Sequence, residues 1–329
     1  EEQGSKHKLD LVRFMATVAT MDELTERILQ LKAEKDAVIL AHYYVPGAVQ
    51  DIADFIGDSY YLSKIAAQVT EKVIVFCGVA FMGESAKMLN PDKVVLMPDL
   101  KADCPMAHMV KIRDIQKIRE TYEDVAVVCY INSTAEIKAH ADVCVTSSNA
   151  KNVIAALPNR YIYFIPDEHL GRYISHQLPE KTFLFNDGYC PIHTSIRVVD
   201  VLKMRRDLPQ AEILAHPECK EEILDLADFV GSTSDLVAYT EKSLSQDFII
   251  CTEIGVIHEM EKRSPGKSFH APSVGQVCPD MKMNTVEKII YALETFEPAV
   301  EMDEVLRQKG LQPLERMLAL AEVKTYAQL

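Results

Sequence analysis

No two of the eight cysteines are spaced as Cys-X-X-Cys, which weakens zinc-ribbon and thioredoxin-like readings, and a disulfide framework is not expected of a reducing compartment. No apolar run approaches the roughly eighteen residues needed to span a bilayer, and Glu1 to Lys8 is polar with no signal-peptide core, so the expected location is the cytoplasm. Basic residues are in deficit, 35 Lys and Arg against 49 Asp and Glu. The resulting charge of −14 argues against nucleic acid or an anionic membrane as partner. An anionic substrate would then have to be held by local dipoles or a metal. Disorder is excluded by the ordinary balance of 48% apolar and 26% charged residues, and 329 residues suggest more than one domain.

What the chain does contain is one unit written three times. AVILAHYYVPGAVQDIADFIGDSYYLSKIA from Ala37, VAVVCYINSTAEIKAHADVCVTSSNAKNVIAAL from Val125 and AEILAHPECKEEILDLADFVGSTSDLVAYT from Ala211 each read as strand, turn, helix, Ala-Asp, hydroxyl-bearing turn, helix. Asp54, Asp142 and Asp228 recur at intervals of 88 and 86, as do Ser59, Ser147 and Thr233. A second triplet of segments follows, and each member ends in Cys-Pro: Cys104, Cys190 and Cys278. Eight cysteines and fifteen prolines would by chance give roughly 0.4 such steps in the whole chain.

Short β-rich runs alternate with helix-period segments, the pattern of βαβ units and parallel sheets. The expected fold is α/β: three homologous parallel-sheet αβα domains around a pseudo-threefold axis. The expected borders are a helical segment at 1–36, repeat domains at 37–123, 124–209 and 210–295, and a helical tail at 296–329, with strand exchange between neighbours allowed.

In such units ligands bind beyond the carboxyl ends of the strands. The turn after the first strand of each repeat supplies His42 and Tyr44, Tyr130 and Asn132, and His216 and Glu218, different polar groups in one register. For any one of them, merely capping a sheet is the simpler reading; six in register point to a site. Ser59, Ser147 and Thr233 precede helix-like stretches and are expected to be N-caps, with their helix ends offering positive charge to carboxylates or phosphate. The Cys-Pro triplet brings three thiols toward one point, whereas Cys77, Cys129, Cys144 and Cys251 read as small buried hydrophobes and Cys219 stays undecided. Three symmetric thiolates suit a 4Fe-4S cubane with one iron free of protein thiolate, acting as a Lewis acid. A three-thiolate zinc with water also leaves an open position.

These residues resemble the quinolinate synthase family, iron–sulfur enzymes of de novo NAD biosynthesis. The likeness runs from Ala41 to about Leu293 through AHYY, QDIADFIGDS, FCGVAFMGESAKMLNPDK, DCP, INS, VTSSNA, HPEC, GSTS, TEIG and CPDMK, whose order and spacing are specific. The resemblance implies condensation of iminoaspartate with dihydroxyacetone phosphate to quinolinate, with loss of phosphate and two waters. It implies a 4Fe-4S cluster on Cys104, Cys190 and Cys278 and substrate contacts from His42, Tyr44, Ser59, Tyr130, Asn132, Ser147, His216, Glu218 and Thr233. Within that frame Glu218 is the expected main base, Tyr44 and His216 donors or relays, Tyr130 and Asn132 orienting groups, and His193 a support behind a cluster ligand. Glu84 and Glu253 are expected to satisfy loop backbone. An iminoaspartate-producing enzyme is the implied supplier, from which that substrate could be channelled. Two rival readings remain at this point, a non-enzymatic iron–sulfur sensor or carrier and an aconitase-like hydro-lyase.

Overall fold

Strand-length runs of Val, Ile, Leu and Phe with no polar alternation must be buried on both faces, which is the condition of a parallel sheet covered by helices. A computed structural model describes residues 20–322 and shows three such sheets. Expectations placed on residues 1–19 and 323–329 lie outside the described residues. The first sheet holds β1 (Ala37–His42), β2 (Phe55–Gly57), β3 (Val73–Cys77) and β4 (Val94–Leu96) in the order 2-1-3-4. The second holds β5 (Val125–Tyr130), β6 (Val143–Val145), β7 (Tyr161–Ile165) and β8 (Thr182–Phe185) in the order 6-5-7-8. The third holds β9 (Glu212–Ala215), β10 (Phe229–Val230), β11 (Asp247–Cys251) and β12 (Ser268–His270) in the order 10-9-11-12. All pairings within the sheets are parallel, and every residue of β1 and β5 is buried.

The repeated Asp that sets the register has a structural duty. Asp54 accepts the Ile39 N–H at 2.8 Å, Asp142 that of Val127 at 2.7 Å and Asp228 that of Ile213 at 2.8 Å. Its own N–H returns to the carbonyl of the same residue in all three repeats. This two-way bond pins the middle of the first strand to the start of the second, and each carboxylate also pairs with a base from the helix before that strand: Lys32, Arg119 and Arg205. The helices in question, Met21–Lys35, Ile112–Thr121 and Val198–Asp207, are therefore equivalents, one per sheet.

The same equivalence explains how the ring closes. Helix Ile112–Thr121 follows the first Cys-Pro but packs on β5, and helix Val198–Asp207 follows the second but packs on β11. Helix Val286–Thr295 follows the third and returns to the first sheet, burying Val286, Ile289 and Leu293 beside helix Met21–Lys35, where Arg27 and Glu294 pair at 2.7 Å. Helix Glu304–Glu322 lies across the first two repeats, with Leu314 and Met317 buried. Its Arg307 and Arg316 donate to the carbonyls of Met88 and Asp142. Among the described residues no helix is long and apolar enough to cross a membrane.

Candidate active site

Each sheet reverses its strand order beside its first strand, and that crevice at the carboxyl ends is where an open α/β sheet receives ligands. His42 ends β1, Tyr130 ends β5 and His216 follows the last residue of β9. The three crevices face one another and merge into one cavity. It is lined by His42, Tyr44 and Ser59 of the first repeat, Tyr130, Asn132 and Ser147 of the second, and His216, Glu218 and Thr233 of the third. Cys104, Cys190 and Cys278 line it as well, so all twelve residues singled out in the sequence meet there.

The eight cysteines divide cleanly. Cys77, Cys129, Cys144, Cys219 and Cys251 are buried, while the three Cys-Pro thiols are only half-buried at the cavity wall. Proline opens a short helical turn after Cys104 and Cys190, its missing N–H costing nothing at the first position. Burial pushes all three thiols up, Cys278 to about 11 and the other two further. Cys104 is raised additionally by Cys278, and Cys190 by Cys104, because the thiols neighbour one another. The backbone amides of Met106 and Ala107, of His193, and of Met281 and Asp280 act the other way and favour the thiolate of each. A metal that displaces the protons would be held by thiolates already served by backbone donors.

Three donors gathered within 4.8 Å of one another occur on Cys190, His193 and Glu218, a possible metal-binding group. The Cys104, Cys190 and Cys278 trio does not form a group that tight among the described residues.

Polar contacts bind the three repeats together around these thiols. Tyr130 Oη donates to Glu218 Oε1 at 2.5 Å, and His193 Nδ1 lies 2.8 Å from Glu218 Oε2 and 3.1 Å from Cys190 Sγ. Tyr44 Oη sits 2.8 Å from the hydroxyls of both Thr233 and Thr252, and His193 Nε2 is 2.8 Å from Thr252 Oγ1. Burial raises the Glu218 carboxyl, but the imidazoles of His193 and His216 and the hydrogen bonds from His193 and Tyr130 outweigh it and hold the group ionised at neutral pH.

His42 and His216 are pushed down by burial, to about 4 and about 3, and are neutral at pH 7. In each, Nδ1 accepts the N–H of the residue two further on, Tyr44 at 3.2 Å and Glu218 at 3.3 Å. That fixes both rings with hydrogen on Nε2, and His216 directs this N–H to Ser147 Oγ at 3.2 Å. Two buried oxygens at the wall, Asn132 Oδ1 and Thr146 Oγ1, have no hydrogen-bond partner among the described residues. A polar ligand would satisfy them.

The family described as quinolinate synthetase A protein, NadA, matches residues 26–319. The chain belongs to this family. It is 48% identical to the quinolinate synthase of Clostridioides difficile strain 630 over 300 residues, covering 91% of this chain and 99% of that protein. It is likewise 48% identical to the quinolinate synthase of Fusobacterium nucleatum over 298 residues, 91% of this chain and 99% of the relative. Against the quinolinate synthase of Caldicellulosiruptor saccharolyticus it is 44% identical over 301 residues, 92% and 99% of the two chains. The protein is thus an enzyme of the quinolinate synthase family, built on a threefold α/β ring.

Two expectations about this family member need correction or addition. Ser59, Ser147 and Thr233 do not cap helices. Asp58 caps helix Ser59–Gln68 by accepting the Tyr61 N–H at 2.9 Å, and Ser232 forms a capping box with Asp235 ahead of helix Thr233–Lys242. Ser147 lies inside a turn closed by the Thr146 N–H to Asn149 Oδ1 bond, two residues short of the Asn149 cap position. The caps moved one residue upstream because Asp58 and Ser232 already supply the required oxygen, which releases the Ser59 and Thr233 hydroxyls from capping.

Thr146 of the wall, Thr252 beside Tyr44 and His193, and Lys282 beside Glu253 were not singled out in the sequence, although VTSSNA, TEIG and CPDMK contain them, whereas Glu253 has the backbone-satisfying duty expected of it. Glu253, fully buried, accepts the Cys278 N–H at 3.0 Å and the Gly255 N–H at 2.6 Å and pairs with Lys282 at 2.8 Å, so it braces the third thiol loop. Glu84 accepts the Ala135 N–H at 2.8 Å and ties the first repeat to the second.

Proposed function

We propose that this cavity condenses iminoaspartate with dihydroxyacetone phosphate to quinolinate, releasing phosphate and two waters. Cys104, Cys190 and Cys278 would hold a 4Fe-4S cluster. The observation that carries this reading is the single cavity in which the three half-buried thiols face the ionised Glu218 and its phenol and imidazole partners. When bound, the cluster supplies a Lewis-acid iron free of protein thiolate.

The chain's own residues do the rest. Glu218 is placed to take and return protons during enediol isomerisation and ring closure, and the short bond from Tyr130 steadies its charge. Neutral His42 presents an Nε2–H donor to substrate oxygens, and neutral His216 orients the Ser147 hydroxyl through its own. Asn132, whose Oδ1 has no partner among the described residues, orients a substrate N–H or O–H. The Ser59, Ser147 and Thr233 hydroxyls, the first and last at helix starts, bind carboxylates and phosphate in a molecule of charge −14. Both substrates are small molecules, with no role for nucleic acid or membrane. The reaction belongs in the cytoplasm, beside an iminoaspartate-producing enzyme from which that substrate could be channelled.

The test is an anaerobic assay of iron-loaded protein with the two substrates. Quinolinate should accumulate with one phosphate released per molecule formed. Iron-loaded protein that forms no quinolinate from this pair would refute the reading.

A further inference from the structure

Lys138 is fully buried, at the end of the short helix Ala135–Lys138 and outside the lining of the cavity. Taking an ammonium out of water is costly, and a methionine would fill the same space without that cost. What the ammonium touches shows its use. Nζ donates to the Ser133 carbonyl at 2.7 Å and lies 5.2 Å from the centre of the Phe81 ring, a wall residue of the first repeat. Ser133 closes a tight turn, its N–H returning to the Ile131 carbonyl at 2.7 Å, which puts Asn132 at the apex. Asn132 Oδ1 has no partner among the described residues, so the turn, and not a bond to the amide oxygen, sets where it points.

The repeat supplies an internal control. Gln50 stands 88 positions before Lys138, is equally buried, and its Nε2 donates at 3.0 Å to the carbonyl of Val45, which stands 88 positions before Ser133. The same nitrogen reaches the Tyr43 carbonyl at 2.9 Å, so the carbonyls on both sides of Tyr44 are held. It also reaches the Gly255 carbonyl of the third repeat at 2.9 Å, its two hydrogens shared among three acceptors, and Gly255 occupies the register position of Phe81. Two unlike side chains thus make the same two contacts, one with the turn that carries a wall residue and one with a fixed position of the neighbouring repeat. The third repeat has Leu224 there, and its Cys219, in the place of Val45 and Ser133, donates instead to the Cys251 carbonyl at 3.3 Å.

We propose that Lys138 is a positioning residue for Asn132, tying the Asn132 turn to the wall of the first repeat so that the amide stays aimed at bound substrate. It does in the second repeat what Gln50 does for Tyr44 in the first. A lysine serves where the first repeat uses a glutamine because the neighbour here offers a ring face in place of a carbonyl, and a cation is the donor that a ring face attracts. Lys138 itself touches no reacting atom. This inference rests on the proposed condensation, in which Asn132 orients the substrate.

The experiment places Lys138→Met and Lys138→Gln each in wild-type and in Asn132→Ala enzyme, anaerobic and iron-loaded. Lys138→Met, close in length but with no donor, should lower kcat about 10- to 100-fold with iron content unchanged, the effect of moving an orienting group by about 1 Å. Lys138→Gln, one bond shorter but still a donor, should be intermediate. In the Asn132→Ala enzyme neither change should cost more than about twofold, because the group they position is gone, whereas a merely structural role would cost the same in both backgrounds. Wild-type kcat in Lys138→Met, or an equal fold-loss with and without Asn132, would overturn the proposal. Should Lys138→Met not fold, Lys138→Gln decides alone: a loss confined to enzyme that retains Asn132 supports the proposal, and no loss or equal losses refute it. If the wild-type enzyme makes no quinolinate, the proposed function fails instead.

Discussion

Replacing Cys104, Cys190 or Cys278 by serine should strip iron and quinolinate formation from the protein together, in each of the three variants. A serine hydroxyl is a harder and far less acidic donor than a thiol, and the site has no fourth protein thiolate to compensate. Each of the three sits at the wall of one cavity with backbone amides favouring its thiolate, and none has a substitute nearby, since the other five cysteines are buried in their sheets and turns. The control is Cys77→Ala, a change at a fully buried thiol in β3, which should keep its iron. Iron and sulfide analysis of the anaerobically purified proteins reads the outcome directly. A serine variant with full iron and full rate would remove that cysteine from the set.

The second large effect is expected at Glu218. Glu218→Gln preserves shape and can still accept the Tyr130 hydroxyl hydrogen, so iron should stay bound. It cannot carry a proton between steps, and kcat should fall about 10²- to 10⁴-fold. His193 sharpens the expectation. With the amide oxygen still accepting from Tyr130, the amide NH2 faces His193 Nδ1, and the ring has to accept there and carry its hydrogen on Nε2. Iron content and single-turnover product formation separate the two effects. An unchanged rate would take Glu218 out of the role of base.

The fold was legible because the repeat exposes it. Buried strand runs such as VAVVCY and AVILAH, alternating with helix-period segments, fit covered parallel sheets, and the in-register Asp54, Asp142 and Asp228 mark the strand pairing they hold in place. The half-buried thiols were legible for the same reason, as a dipeptide recurring at fixed intervals. What resisted reading was of two kinds. Helix starts slipped by a residue wherever two capping side chains adjoin, as in Asp58-Ser59 and Ser232-Thr233, because both have the same local chemistry. Thr252 resisted because its register mates, Gly78 and Pro166, share no type with it, and the long-range contacts that define it join residues 208 and 59 positions apart. The return of helix Val286–Thr295 to the first sheet is likewise a tertiary fact with no local signature.

The most direct measurement is Mössbauer spectroscopy of 57Fe-loaded, anaerobic protein with and without quinolinate. The account predicts about four irons per chain in a cubic cluster, one of which alone changes its spectrum when the product is added. Fully active protein that carries zinc and no iron, or a spectrum in which all irons are equivalent and indifferent to product, would contradict it.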